Sequence, residues 1–134
     1  MTKNWTLSQC FQKLGTVPKN PRWSWSGRSP AGDKVSVTLW RDRFEKGTGT
    51  RIYRSNPSRS SEDWVGSNGH VELIENLVWA RDNLDGEVSV IIAVARDPDS
   101  TPRQIEECYP QPNLRMRVTE LDESTGDFCL ERVG

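Results

Sequence analysis

Residues 22–43 read RWSWSGRSPAGDKVSVTLWRDR, and the spacing inside them decides the fold. In the first part Trp23 and Trp25 alternate with Ser24 and Ser26, so both rings share one face of a strand. In the second part Val35, Val37 and Leu39 share a face, while Ser36, Thr38 and Trp40 point the other way. Pairing Trp25 with Val35 and Trp23 with Val37 makes the two apolar faces coincide. The loop between them, Arg28 to Gly32, has a common hairpin length of about five residues. The pattern therefore predicts a hairpin whose Trp23 and Trp25 build the core. It leaves Trp40 on the opposite face among hydroxyls.

On the N-terminal side, Leu7, Cys10, Phe11 and Leu14 recur at helical spacing, which predicts a short amphipathic helix over 6–14. Thr6 is its cap, Trp5 a staple folding back on it, and Gly15 its end. Pro18 and Pro21 break the connector up to residue 21. On the C-terminal side, residues 41–46 form a charged turn and TRIYR at 50–54 a short strand. Residues 55–68 are rich in Ser, Pro and Gly and carry Trp64, which predicts a mobile loop. Trp64 either plugs back into the core or stands exposed as a stacking group.

The spacing then predicts a principal helix over 69–83, with Val71, Ile74, Leu77 and Val78 as its apolar stripe. Asp85-Gly86 is a turn. EVSVIIAVA at 87–95 is apolar and β-branched almost throughout, as expected of a central strand buried on both faces. Thr101 and Pro102 open a predicted short helix over 103–108. LRMRVTEL at 114–121 alternates as an amphipathic strand. Residues 122–126 are a hairpin loop, and 127–133 the closing strand.

The chain has 134 residues, one domain by size. Its mean hydropathy is −0.73 and 34% of its residues are hydrophobic, so the core must be compact, with the six tryptophans supplying much of its area. No apolar run reaches about 18 residues, and the N-terminus lacks the pattern of a signal peptide. Cys10, Cys108 and Cys129 match neither a disulfide framework nor a zinc pattern; they read as free thiols of a cytoplasmic protein. The net charge of −1 conceals a net +7 over residues 19–59 and −10 over 60–134. Segments so divided either form opposed basic and acidic faces or interleave and cancel.

The expected architecture is α+β: a small, curved, mainly antiparallel sheet or partly closed β-barrel with flanking helices. This order of elements, with its tryptophan-rich first hairpin, resembles the PUA-like superfamily, which includes the EVE, YTH and ASCH domains. The resemblance covers most of the chain in topology. W-S-W, T-L-W-R-D and A-R-D-P with P-R-Q-I also look like a group of small bacterial proteins with no known activity. The superfamily resemblance implies RNA binding, or a modified base held in an aromatic pocket, without assigning positions.

Catalytic chemistry finds little footing. The single histidine, His70, opens a helix without an oriented partner or nucleophile at a recognised spacing. Asp97, Glu106 and Glu107 are loop or surface acids. No phosphate-binding loop or dinucleotide fingerprint occurs, and no cofactor or metal is implied. Nucleic-acid binding needs cations for phosphates and flat rings for bases. Trp40, Trp64 and Tyr53 are the candidate stacking faces. Ser36 and Thr38, beside Trp40, are placed to read base edges, and Arg41, Arg43, Arg51 and Arg54 to meet phosphate. The expected function is a non-enzymatic domain that recognises nucleic acid, DNA or RNA, or a modified base through an aromatic pocket and a basic patch. The alternative is a protein-interaction module using opposed basic and acidic faces.

Overall fold

The computed structural model describes residues 6–19, 24–41, 44, 52–54, 68–96, 105–123 and 127–133. Trp5, Trp23, Arg43, Arg51, Trp64 and nearly all of the segment 55–68 lie outside the described residues. The elements follow the order α1 (Leu7–Lys13), β1 (Ser26–Arg28), β2 (Val35–Trp40), β3 (Ile52–Arg54), α2 (Asn68–Asn83), β4 (Glu87–Ala95), β5 (Ile105–Asp122) and β6 (Asp127–Arg132). They form one six-stranded α+β sheet in the order β1-β2-β4-β5-β6-β3.

Four of its strand pairs are antiparallel and one, β2 with β4, is parallel. The expected closure into a partial barrel is not found among the described residues, where β1 and β3 are the end strands of the ladder. The sheet nevertheless curls. Phe44 forms an isolated bridge with Tyr53 of β3, and the Trp40 amide donates to the Tyr53 hydroxyl at 3.4 Å. β5 carries the sheet from one partner to the next: its residues 105–117 pair with β4 and 116–122 with β6. At the bend, Ser89 pairs with Arg115 but Val90 with Gln111, so residues 112–114 bulge out of the ladder. A bulge admits proline and re-aims the strand.

Side-chain alternation assigns each face of β2 and β4 to one helix. Val35, Val37, Leu39, Val88, Val90 and Ile92 pack with Leu73, Leu77 and Ala80 of α2. Ile91 packs with Cys10, Phe11 and Leu14 at α1. α1 forms for local reasons. Thr6 and Gln9 make a reciprocal capping box at the start of α1, satisfying two otherwise orphaned amides. Gly15 follows at φ +77°, a conformation that glycine enters without steric cost. β4 runs over 87–95 as its composition dictates and is covered on both sides.

Three sequence expectations are corrected. The first hairpin pairs Ser26 with Val37 and Arg28 with Val35, displaced three residues from the pairing that aligns the tryptophans. An odd displacement flips every side chain to the other face, so Trp25 joins Thr38 and Trp40 instead of the valines. The deciding contacts are tertiary. Val17 bridges Arg28 on the outer edge of β1, and Gly27 faces Phe11 and the 17–18 backbone so closely that a Cβ would stand 3.1 Å from them. In α2 the buried stripe is Glu72, Leu73, Asn76, Leu77 and Ala80, while Val71 is 46% exposed. The helix is rotated because its polar groups bond the β1 edge. Finally, residues 105–108 belong to β5 and not to a helix, because the open edge of β4 recruits them: Cys108 pairs with Ala93 and Pro110 with Ile91.

The α2–β1 junction is a polar seam. The Asn76 amide donates to the Ser26 hydroxyl at 2.8 Å and its carbonyl accepts from Arg28 Nε at 3.2 Å. The Arg28 guanidinium lies 4.3 Å from the centre of the Trp79 ring, and Trp79 Nε1 donates to the Gly32 carbonyl at 2.8 Å. Glu72 Oε2 accepts from the Lys19 amide at 2.9 Å.

Candidate aromatic binding site

Continuing the β1–β2 register places Trp25 opposite Thr38, and the Thr38 amide donates to the Trp25 carbonyl at 2.8 Å. Trp25 therefore stands on the α1-side face. There it meets Trp40: their ring centroids are 5.2 Å apart, at an interplanar angle of 49°. Both rings are half-buried. α1 covers the lower part of this face, where Thr16 Oγ1 donates to Ser36 Oγ at 2.9 Å. The tryptophans occupy the upper part, where β2 ends.

Thr38 lies between the two regions and is 4% exposed. Its hydroxyl oxygen is buried without a hydrogen-bond partner. Burying a hydroxyl unpaired costs about 1–3 kcal/mol, so this group is a local burden on the fold. Glu72 Oε1 is the other buried orphan among the described residues, on the α2 side. At the same end of the sheet, Arg41 follows Trp40 and Arg96 follows β4, both exposed. The β2 and β4 carboxyl ends are adjacent and parallel. On β5, Glu106 and Glu107 are also exposed.

Of the site residues read from the sequence, Trp40, Thr38 and Arg41 come together here. Ser36 shares their face but is buried and bonded to Thr16. Tyr53 is a core residue: it is buried, meets Phe44 edge-on at 5.1 Å and stacks on Phe128 at 6.2 Å. Arg54 is exposed on the edge strand β3 and pairs with Glu120 at 3.0 Å. Trp25 and Arg96 are the members that sequence reasoning missed. The register places Trp25, and Arg96 has a signal only in retrospect, as the cation just past the central strand.

Two ion pairs join the basic and acidic segments. Lys19 meets Glu75 at 3.4 Å and Arg54 meets Glu120, each pair crossing between the two segments. A cleft of about 670 Å³ lies at the other end of the sheet, where β2 and β4 begin. Lys13, Lys34 and Arg115 line it together with Asp33, Asp85 and Glu87, a balanced set of charges without an aromatic ring. In its rim the Ser29 hydroxyl donates to the Asp33 carboxylate at 2.7 Å and accepts from the Asp33 and Lys34 amides at 3.0 Å each. The bond from Ser29 holds Asp33 below the usual carboxylate pKa, aided by the backbone and Lys34, against a smaller opposing effect of desolvation.

Among the described residues no three His, Cys, Asp or Glu side chains gather as a metal-ligand set, and no helix is long and apolar enough to cross a membrane. His70 lies in the first turn of α2. Compared with protein-family models, curated proteins and solved structures, the chain finds no match.

Proposed function

We propose that the chain is a PUA-like binding domain that recognises a nucleic acid by stacking an unpaired or modified base against Trp25 and Trp40. One observation carries this reading. Two half-buried tryptophan rings adjoin on the face that also holds the unpartnered hydroxyl of Thr38. A base offers both a flat face for the rings and polar edge atoms for a hydroxyl. Arg41 and Arg96, at the same strand ends, supply cations for the flanking phosphates. Base stacking on aromatic side chains tolerates all sequences, so selectivity falls to the hydroxyl and to the shape of the ledge.

The test is binding of fluorescently labelled single-stranded and duplex DNA and RNA, with and without modified bases, at several salt concentrations. Single strands should bind more tightly than duplexes and quench tryptophan fluorescence, and affinity should fall as salt rises. Trp40→Ala should weaken binding about 5- to 150-fold, the equivalent of about 1–3 kcal/mol per stacked base, while circular dichroism shows the fold retained. No binding to any of these ligands at low salt would sink the proposal.

A further inference from the structure

We infer that Cys10 and Cys108 are a redox pair, closing under oxidation into a reversible disulfide that clamps α1 to the central sheet. The inference does not depend on the proposed ligand. The two sulfurs are 3.9 Å apart and both side chains are buried, Cys10 at 0% and Cys108 at 5% exposure. They are 98 positions apart in the chain and join two elements that otherwise meet through apolar contacts. Cys10 lies on α1, packed with Phe11, Leu14 and Ile91. Cys108 lies on β5 and faces α1 through its pairing with Ala93. The sulfurs need only approach to about 2.05 Å for a covalent bond, a movement within the reach of side-chain rotation and a small shift of the seven-residue helix. Cys129 sits apart from them on β6, opposite Glu120 and Arg54.

The pair is also divided in role. Cys10 Sγ–H donates to Cys108 Sγ. Holding that proton raises the Cys10 thiol, with burial adding to the effect, and favours the thiolate at Cys108 against desolvation and the charge of Glu107. Cys108 is also the more exposed of the two. With hydrogen peroxide as oxidant, Cys108 thiolate attacks one peroxide oxygen. The O–O bond breaks and the departing hydroxide takes a proton to become water, leaving a sulfenic acid on Cys108. Cys10 sulfur then attacks the Cys108 sulfur. The S–S bond forms, the S–O bond breaks, and the Cys10 proton leaves with the hydroxyl as a second water. Two thiols are oxidised, and one peroxide is reduced to two waters.

The clamp holds the sheet face that carries the tryptophan pair. Trp40, Ala93 and Cys108 are cross-strand neighbours on β2, β4 and β5, so Cys108 is two strand spacings, about 10 Å, from Trp40. Closing the bond fixes α1 along this row.

The experiment uses the intact protein, treated with hydrogen peroxide and then with catalase. The three thiols counted in denaturant should fall to one, unreduced peptide mapping should show Cys10 joined to Cys108, and dithiothreitol should restore all three. Amide exchange in α1 should slow at least tenfold in the oxidised form. Cys129→Ala should still form the bond. Cys10→Ala, with Cys10→Val as a second variant keeping the site filled, should stop at a sulfenic acid on Cys108 that dimedone traps. Three thiols surviving oxidation, a bond that includes Cys129, or over-oxidation of Cys108 in the unmodified chain would overturn the inference.

Discussion

Replacing Thr38 by Val separates the ligand role of this site from its structural role, because the two move in opposite directions. The shapes are nearly the same, and Val is at ease on an inner strand. The change removes a hydroxyl oxygen that is buried and unbonded, in a residue only 4% exposed. The folded protein is relieved of a desolvation cost of about 1–3 kcal/mol, and part of this is offset by imperfect packing of the new methyl group. A net gain of about 1–2 kcal/mol is expected. For a chain of 134 residues, with an unfolding entropy of about 2.1 cal/mol/K per residue, that raises Tm by about 4–7 °C. If the hydroxyl serves a bound base, its loss forfeits a hydrogen bond of about 0.5–1.5 kcal/mol, and affinity falls by about two- to thirteenfold. Differential scanning calorimetry and the binding titration, run on the same preparations, read both effects. A variant that melts lower, or melts higher but binds single strands as tightly as the parent, would refute the link between the orphan hydroxyl and the ligand.

The polar seam between α2 and β1 makes a second case. Asn76→Ala removes the partner of the buried Ser26 hydroxyl and of Arg28 Nε, so urea unfolding should show a loss of about 2–4 kcal/mol with an unchanged m-value. The double variant Ser26→Ala/Asn76→Leu, which leaves no orphan at that pair, should recover much of that loss. At the Arg28–Lys34 turn, Asp33 has its pKa held below the ordinary carboxylate value near 3.9 by the Ser29 hydroxyl. Its contribution is therefore complete above that value and disappears as pH falls through the lower, folded-state pKa. Asp33→Asn should flatten this acid limb in a melting series from pH 5 to pH 2, and an unchanged slope would show that the turn is not what titrates.

Much of the scaffold is legible in residue order. α1 follows from Leu7, Cys10, Phe11 and Leu14 with the Thr6 cap, β4 from its run of β-branched residues, and the β5–β6 hairpin from the alternation at 114–118. Each rests on local chemistry: a capped helical stripe, a doubly apolar strand, a one-sided strand. The signals failed where a side chain answers to a distant partner. Val71 and Val78 look like the apolar stripe of α2, yet Glu72 and Asn76 turn inward because the Lys19 amide and the Ser26 hydroxyl are there to bond them. Residues 105–108 read as a helix behind Pro102 and become strand because β4 offers an unpaired edge.

The same division runs through the candidate site. Alternation along β2 is local, so the sequence by itself determined that Ser36, Thr38 and Trp40 share a face opposite Val35, Val37 and Leu39. Which face Trp25 joins depends on the pairing register, and residues 22–43 permit more than one. The choice falls to the Val17–Arg28 bridge and the close approach of Phe11 to Gly27. Tertiary structure alone brings Trp25 against Trp40, sets Thr16 against Ser36, draws Tyr53 into the core and sets Cys10 beside Cys108. Side-chain direction within a strand is a property of the backbone, whereas register and burial are settled only by what packs across it.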